Sequence, residues 1–173
     1  MKTRRKDGPD LPGPPEEPWN EVAPGLWMGG HYWHDPTGEL QFVCVGAEFD
    51  LVVSLFTAPG HGPDPGVEHL VAEVPDDPLD AGQLAAVQAA AEYTAAAVAA
   101  GRRVLVRCHS GYNRSGLVVA QALVELGADA AGAIRRVRAR RSPWALNNEL
   151  FVAYLETGLD TARLLSSLTA PGS

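Results

Sequence analysis

One stretch of sequence decides the fold of this chain: Val104-Leu105-Val106-Arg107-Cys108-His109-Ser110-Gly111-Tyr112-Asn113-Arg114-Ser115-Gly116. Its first three residues are aliphatic, which indicates a short buried strand, and the apolar run 117–126 behind it indicates a helix. A loop at a helix N-terminus directs unpaired N–H groups and the positive end of the helix dipole toward one point. The stretch therefore predicts a strand, a tight loop and a helix that together bind a tetrahedral oxyanion.

Several side chains of this loop suit the chemistry of a phosphoryl group. Cys108 stands at the start of the loop, where the N–H groups would stabilise its thiolate and make it a nucleophile. Arg114 has a planar guanidinium that can hold two phosphoryl oxygens and spread transition-state charge. Ser115 is placed to assist departure of the thiolate, and Gly111 permits the bend. The residues expected to surround the phosphate are His109, Ser110, Gly111, Tyr112, Asn113 and Arg114.

Strand-like and helix-like stretches alternate around this segment, which favours an α/β fold, a single layered domain with a central mixed sheet flanked by helices. Strands are predicted within 50–56 and 67–74. Asp80 and Gln83 form a capping-box pattern at the start of an Ala-rich helix. The predicted helices run from Asp80 to Gly101, from 117 to 126, from Asp129 to about Arg141, and from about Asn147 to Thr157.

A chain of 173 residues is long enough for one hydrophobic core. Residues 1–18 are rich in Pro, Gly and Glu, and we predict that they form a disordered N-terminal tail. The catalytic domain is expected over residues 19–159, followed by a C-terminal tail over 160–173. No apolar run approaches the roughly 20 residues of a membrane span, and the secretory pattern is incomplete. We therefore expect a cytoplasmic protein.

The formal net charge of -7 is unevenly distributed. Residues 21–100 hold 12 carboxylates and no Lys or Arg, whereas residues 101–173 hold ten Arg and five carboxylates. Both lysines, Lys2 and Lys6, lie in the N-terminal tail, which excludes Schiff-base chemistry and a P-loop lysine from the folded part. Arginine must therefore bind any phosphate. The two cysteines are too few for a disulfide framework.

The pattern Cys-x-x-Gly-x-x-Arg-Ser-Gly, preceded by Val-Leu-Val and followed by an apolar helix, resembles the signature loop of the cysteine-dependent protein tyrosine phosphatase superfamily, in particular the dual-specificity phosphatases. The resemblance covers about residues 19–158. Residues 21–30 look like the opening strand of those domains, and the segment from Ala133 to Phe151 looks like their C-terminal helices.

This resemblance implies a protein tyrosine phosphatase-like fold and hydrolysis of phosphomonoesters through a cysteinyl-phosphate intermediate. Phosphotyrosine of proteins is the implied substrate, with phosphoserine and phosphothreonine open. No metal or organic cofactor is required. The expected partner is a phosphorylated protein substrate, and we expect a monomer with no nucleic-acid partner and no membrane association.

Members of the family protonate the leaving-group oxygen with an aspartate on a mobile loop upstream of the cysteine. The candidates here are Asp76 and Asp77, which follow a predicted strand and precede a predicted helix. We prefer Asp76 because it directly follows Pro75 and its spacing to Cys108 fits better, while Asp77 stays open. Asp80 is assigned to the helix cap.

The chain departs from the family pattern at two points. The family usually has His immediately before the cysteine, where it helps shape the loop, whereas this chain has Arg107, which could supply a compensating positive charge. The Asn-Arg-Tyr recognition loop of the tyrosine-only branch is absent as well. We therefore expect a shallow site rather than a deep phosphotyrosine pocket.

Three alternative functions remain. An RNA 5'-triphosphatase is suggested by Gly111-Tyr112-Asn113-Arg114-Ser115-Gly116, which also resembles the loop of that branch. The acidity of the chain argues against it, because RNA binding demands a broad basic surface. A phosphoinositide substrate is disfavoured because the loop contains no lysine. A catalytically silent phosphate-binding module would have no need of Cys108 as a nucleophile.

The remaining reactive or charged residues have simpler interpretations. Cys44 is predicted to be an ordinary buried cysteine, with a redox partner of Cys108 as the alternative. His31 and His34 are assigned surface or packing roles, since no third metal ligand is evident. A basic run is predicted to be a solvated helix surface, with a docking patch as the alternative; it contains Arg135, Arg136, Arg138, Arg140 and Arg141.

Overall fold

The computed structural model describes Pro15 and residues 17–169. Nearly all of the predicted N-terminal tail, and residues 170–173 of the predicted C-terminal tail, lie outside the described residues. The described strands are β1 Trp19–Ala23, β2 Leu26–Gly30, β3 Tyr32–His34, β4 Leu40–Phe42, β5 Leu51–Ser54, β6 Glu68–Val71 and β7 Val104–Cys108. The described helices are α1 Ala81–Ala99, α2 Arg114–Glu125, α3 Ala130–Arg140, α4 Glu149–Thr157 and α5 Leu159–Thr169.

Five of the strands form one mixed sheet in the order β1-β2-β7-β5-β6. Only β1 pairs antiparallel with its neighbour, while β2, β7, β5 and β6 run parallel. β3 and β4 form a separate antiparallel pair. The helices pack against one face of the large sheet and enclose the main core. The mixed sheet flanked by helices confirms the predicted fold class.

The opposite face of the sheet carries a smaller core. Val52 and Leu105 project from β5 and β7 and pack with Val45 and Phe49 from the chain between β4 and β5. Side chains alternate between the two faces of a strand, so the residues of β7 are divided. Val104, Val106 and Cys108 belong to the helix-covered core, whereas Leu105 faces the smaller one. Cys108 therefore ends β7 on the side where α2 begins.

The helix starts follow local chemistry. Asp80 and Gln83 form the predicted capping box of α1, in which the Asp80 carboxylate accepts from the Gln83 N–H and the Gln83 side chain accepts from the Asp80 N–H. Asp129 caps α3 by accepting from Gly132 N. The last predicted helix begins later than expected, because Asn148 is its N-cap and its first residue is Glu149.

The described elements differ from the predicted ones at three points. Residues 21–30 are not one opening strand, because the chain turns at Gly25, where φ is +82°, and forms the hairpin β1–β2. The strands β3 and β4 were missed, since each has only three residues and neither is buried. Much of the predicted C-terminal tail is helix α5, which packs on α1 and buries Leu159 and Ala162 in the core.

None of the described helices combines the length and the apolarity that a membrane crossing requires.

Candidate active site

The centre of the candidate site lies at the carboxyl end of β7. This strand is buried along its whole length between β2 and β5, so its last residue is held rigidly at the edge of the sheet. Cys108 is buried, and its Sγ atom lies 3.3 Å from Oγ of Ser115 in the first turn of α2. The structure therefore brings the Ser115 hydroxyl next to the Cys108 thiol.

Arg114 begins α2 on the other side of the loop. Its NH1 donates to the carbonyl of Val74 at 3.2 Å, and its guanidinium carbon lies 5.5 Å from the centroid of the Phe56 ring. Its Nε is buried and has no hydrogen-bond acceptor within the described chain. These contacts hold the Arg114 side chain in place, and further N–H groups of its guanidinium can still donate to a ligand in the loop.

The first carbonyl groups of the loop are held by the chain that follows β2. The carbonyl of Cys108 accepts from the main-chain N–H of His31 at 3.0 Å and from its Nδ1 at 2.9 Å. The carbonyl of His109 accepts from the N–H groups of His31 and Tyr32 at 2.9 and 3.2 Å. Both carbonyls therefore point toward residues 31 and 32.

A single arginine holds the next two carbonyls. Arg141, directly after α3, donates from Nε to the carbonyl of Gly111 at 3.2 Å and from NH2 to that of Ser110 at 3.5 Å. Burial lowers the pKa of Arg141 to about 10, so the guanidinium stays protonated at neutral pH. A buried cation therefore lies directly behind the loop.

The last two carbonyls of the loop are satisfied by main-chain groups. Tyr112 accepts from the N–H of Leu146, and Asn113 accepts from the N–H of Leu117. Within the described part of the chain, the main-chain N–H groups of Ser110, Gly111 and Asn113 have no acceptor. A carbonyl and the N–H of the next residue point in opposite directions in a trans peptide. Carbonyls that are bonded on the outside therefore turn the following N–H groups inward, as an anion site requires.

His31 is buried and electrically neutral. Its Nδ1 faces a carbonyl, which can only accept, so Nδ1 carries the proton. Burial lowers the pKa of His31 to about 4. The bond to the Cys108 carbonyl acts in the opposite direction, and electrostatic interactions with Arg107, His61 and His109 lower the pKa further. Its ring packs against Phe56 and His61. The packing role expected for His31 thus includes direct support of the loop.

Arg107 lies on the opposite face of the sheet from Cys108. Its Nε donates to Ser54 Oγ at 2.9 Å, and its two terminal nitrogens donate to the carbonyls of His61 and Gly62 at 2.9 and 2.6 Å. Burial lowers its pKa to about 10, so it remains a cation. The expected compensating charge is present behind the strand. Its bonds fix the 61–62 segment and do not reach the thiol.

Asp76 is brought to the loop by two asparagine side chains. Nδ2 of Asn113 donates to Oδ2 of Asp76 at 3.0 Å, and Nδ2 of Asn148 donates to its Oδ1 at 2.8 Å. Oδ1 of Asn113 accepts from the N–H of Asn148 at 2.9 Å. The loop, the β6–α1 connection and the start of α4 therefore meet at this carboxylate. Asp77 is the next residue and is half-buried.

His109 and Ser110 form the outer side of the loop. The ring of His109 is 5.0 Å from that of Tyr32 and 5.1 Å from that of Phe56, and its Nδ1 lies 3.0 Å from Ser110 Oγ. Burial, followed by electrostatic interactions with Arg114 and His61, lowers the pKa of His109. The predicted phosphate-surrounding residues His109 to Arg114 thus form one continuous loop.

The backbone of β2 fits closely against this loop. A Cβ atom added at Gly30 would lie 2.7 Å from the carbonyl carbon of Ser110, and one added at Gly111 would lie 2.6 Å from the carbonyl carbon of Gly29. Gly111 has φ of +75°. Two glycine positions are therefore required where the strand and the loop touch.

Sequence reasoning missed four residues that shape the site: Gly30, His31, Arg141 and Asn148. Arg141 had a usable signal, because it continues the buried stripe of Ile134 and Val137 at helical spacing. His31 had none, since its contact with Cys108 joins residues 77 positions apart.

Two further predictions need correction. Cys44 is exposed rather than buried, because its neighbours Val43 and Val45 face inward and the side chain between them points outward. The basic run is not a purely solvated surface. Besides Arg141, Arg136 donates to the carbonyl of Val22, and Arg138 donates to those of Ala145 and Leu146.

No protein-family model and no curated protein sequence matches the chain. Solved structures do match. Human DUSP28 is 28% identical over 85% of this chain and 98% of its own, with a TM-score of 0.64. A mouse protein described as a dual specificity phosphatase, complexed with zinc tungstate, is 29% identical over 91% of this chain and 92% of its own, with a TM-score of 0.60. The chain belongs to the dual-specificity, protein tyrosine phosphatase-like superfamily.

More distant members share the fold alone. The human tyrosine phosphatase-like serine/threonine/tyrosine-interacting protein is 19% identical over 80% of this chain and 93% of its own, with a TM-score of 0.58. The similarity to this superfamily therefore extends over nearly the full length of the solved domains.

Proposed function

We propose that this dual-specificity-type protein hydrolyses phosphomonoesters of proteins through a cysteinyl-phosphate intermediate. One observation carries the proposal: the loop between β7 and α2 gathers the Cys108 thiol, the Ser115 hydroxyl and the Arg114 guanidinium at a helix N-terminus, with its carbonyls bonded outward. Such a loop stabilises a thiolate and a phosphoryl dianion with the same donors.

In the first step the Cys108 thiolate attacks phosphorus and forms an S–P bond while the P–O bond to the leaving group breaks. Asp76, held beside the loop by Asn113 and Asn148, gives its proton to the leaving oxygen. Arg114 and the loop N–H groups bind the equatorial oxygens, whose charge is greatest in the transition state. The products are an alcohol and cysteinyl-phosphate.

In the second step water attacks the phosphorus of the intermediate and transfers a proton to the Asp76 carboxylate. The S–P bond breaks, inorganic phosphate is released, and the thiolate is regenerated. The Ser115 hydroxyl, 3.3 Å from Sγ, donates a hydrogen bond to the departing thiolate. The cycle therefore restores both the nucleophile and the acid.

The test compares Cys108→Ser with Cys44→Ser on phosphotyrosine, phosphoserine and phosphothreonine peptides. Cys108→Ser should retain substrate binding and lose turnover, because the loop N–H groups and Arg114 survive while a hydroxyl lacks thiolate nucleophilicity. Cys44→Ser is the matched control, since Cys44 is exposed and forms no part of the loop. It should keep wild-type rates.

Two results would contradict the proposal. Substantial residual turnover in Cys108→Ser would remove Cys108 as the nucleophile. Initial rates led by an RNA 5'-triphosphate or by a phosphoinositide, measured in the same panel, would replace the protein substrate by one of those classes.

A further inference from the structure

Arg141 differs from the other arginines near the site in the acceptors of its hydrogen bonds. It is almost completely buried, and within the described chain it forms no ion pair with a carboxylate. Its donors all reach oxygen atoms of two segments, the loop and the chain entering β1. Besides the bonds to Ser110 and Gly111, NH1 donates to Asn20 Oδ1 at 2.8 Å and to the carbonyls of Glu17 and Pro18 at 3.0 and 3.3 Å.

We propose that Arg141 is a positioning residue that orients the anion-binding N–H groups of the loop. The carbonyls of Ser110 and Gly111 are fixed by its guanidinium, so the N–H groups of Gly111 and Tyr112 on the same two peptide planes are turned to the opposite side. The contacts with Asn20 and Glu17 hold the guanidinium itself in place. Arg141 needs no contact with substrate for this role.

The other supports of the loop cannot substitute for Arg141. The carbonyls of Cys108 and His109 are held from residues 31 and 32, and that of Tyr112 is held by the N–H of Leu146. Between them, Gly111 has a positive φ of +75°, a conformation with wide backbone freedom in glycine. Without the guanidinium, the peptides on both sides of Gly111 could rotate and turn their N–H groups away from the anion.

The positive charge adds to this geometric effect. The groups at the loop include neutral His31 after β2, Arg114 at the start of α2, the Asp76 carboxylate of the β6–α1 connection, His109 in the loop and Arg141 behind it. A cation at Arg141 attracts both the thiolate and a bound dianion. Lysine would keep the charge but cannot donate in one plane to two adjacent carbonyls and three further acceptors.

The test measures calorimetric binding of tungstate, a tetrahedral oxyanion, to folded wild-type, Arg141→Lys and Arg136→Lys proteins, together with kcat and KM on an aryl phosphate. Arg136 is the matched control, since it lies in α3 and donates to the carbonyl of Val22 at 2.7 Å, away from the loop. We expect Arg141→Lys to weaken tungstate binding and to lower kcat/KM by about tenfold to a hundredfold. Arg136→Lys should stay within about twofold in both.

Unchanged tungstate affinity in Arg141→Lys, or an equal loss in Arg136→Lys, would overturn the inference, because a purely structural arginine would affect unfolding alone. If Arg141→Lys does not fold, Asn20→Ala carries the test. It removes only the support of the guanidinium and should weaken tungstate binding by about twofold to fivefold; wild-type affinity would overturn the inference.

The inference rests on the proposed function in one respect only, namely that the ligand of the loop is a tetrahedral oxyanion. Tungstate binding is measured without turnover, so the two proposals fail separately. A wild-type protein that binds tungstate in an Arg141-dependent manner and hydrolyses no phosphate ester would overturn the proposed function and support the inference.

Discussion

Asp76 and Asp77 are adjacent in sequence, and within the described residues the Asp76 carboxylate accepts from Asn113 of the loop and from Asn148 at the start of α4. The predicted preference for Asp76 rested on its position after Pro75 and its spacing to Cys108. The asparagine contacts add a three-dimensional reason, because they place this carboxylate beside the loop that would hold the phosphate.

The first prediction separates the two aspartates. Asp76→Asn should lower turnover of alkyl phosphates by about 10²-fold to 10³-fold and turnover of activated aryl phosphates much less, because an activated leaving oxygen needs little protonation. It should also flatten the alkaline limb of the pH–rate profile. Asp77→Asn should do both weakly. If Asp77→Asn alone shows both signatures, Asp77 is the acid.

The second prediction concerns His31 and pH. Folding lowers the pKa of this histidine from 6.5 to about 4 through burial, so the folded protein binds fewer protons than the unfolded chain between those values. Stability should therefore fall as the pH drops from about 6.5 to about 4, by on the order of 3 kcal/mol. Chemical unfolding across this pH range measures the effect.

A glutamine at position 31 keeps a hydrogen-bond donor but does not titrate. His31→Gln should therefore remove the His31 contribution and reduce the pH dependence between 6.5 and 4. His34→Gln, at the half-buried end of β3, is the control and should retain it. An unchanged slope in His31→Gln would assign the acid sensitivity to other groups.

At the level of elements, the site depends on contact between the carboxyl end of β2 and the loop. β2 pairs with β7 in parallel, and Gly30 lies opposite Cys108 in the register. The loop then folds back across Gly30, with so little space that an added Cβ would meet the main chain of three loop residues within 2.9 Å. A main chain so constrained cannot move aside without shifting the loop.

The third prediction follows from this contact. Gly30→Ala should lower kcat/KM by at least about tenfold and destabilise the fold by roughly 1–3 kcal/mol, because overpacking displaces the loop backbone. Gly66→Ala is the matched control, since no heavy atom lies within 4 Å of a Cβ at that position. Gly66→Ala should keep wild-type activity. Normal turnover in Gly30→Ala would show that the loop tolerates the displacement.

Local signals predicted the elements that carry their own boundary chemistry. The capping box of Asp80 and Gln83 located α1, and Asp129 located α3. The element α5 has no comparable cap in the described structure, and its burial depends on where Leu159 and Ala162 meet α1. A C-terminal tail was therefore predicted where the fold forms a helix.

At the scale of the whole molecule, the charge asymmetry of the sequence places acidic and basic side chains on different sides of the candidate site. The carboxylates of Glu73, Asp76 and Asp77 lie on the β6–α1 connection, whose Val74 carbonyl contacts Arg114. Arg114 belongs to the loop, and Arg107 and Arg141 are buried behind it. These three cations therefore lie within and behind the candidate site, while acidic side chains lie on a connection at its edge.

The fourth prediction tests this arrangement with phosphotyrosine peptides that differ only in flanking residues. Peptides with lysine flanks should have a KM about threefold to tenfold lower than peptides with glutamate flanks at about 20 mM salt. The ratio should approach one at about 0.5 M salt, where charges are screened. A peptide with neutral flanks is the control, and a preference for glutamate flanks would show that exposed arginines dominate the field.

The sequence by itself determined the strand, loop and helix around Cys108, the position of Arg114 and Ser115 in that loop, and the cap of α1. These features depend on residues within one element or its ends, where periodicity, helix caps and glycine act over short distances. The α/β class also followed, because alternating strands and helices have few ways to bury their apolar faces.

Only the tertiary structure decided how the loop is supported. His31 reaches Cys108 across 77 positions, Asn148 reaches Asp76 across 72, and Arg141 reaches Gly111 across 30. No local pattern specifies such pairs, because each depends on how separate elements pack and which carbonyls that packing exposes to a donor. From the sequence alone, an arginine is predicted to lie at the surface. The packing of α3 against the loop instead buries Arg141 beside loop carbonyls, whose hydrogen bonds offset the free-energy cost of burying the charge.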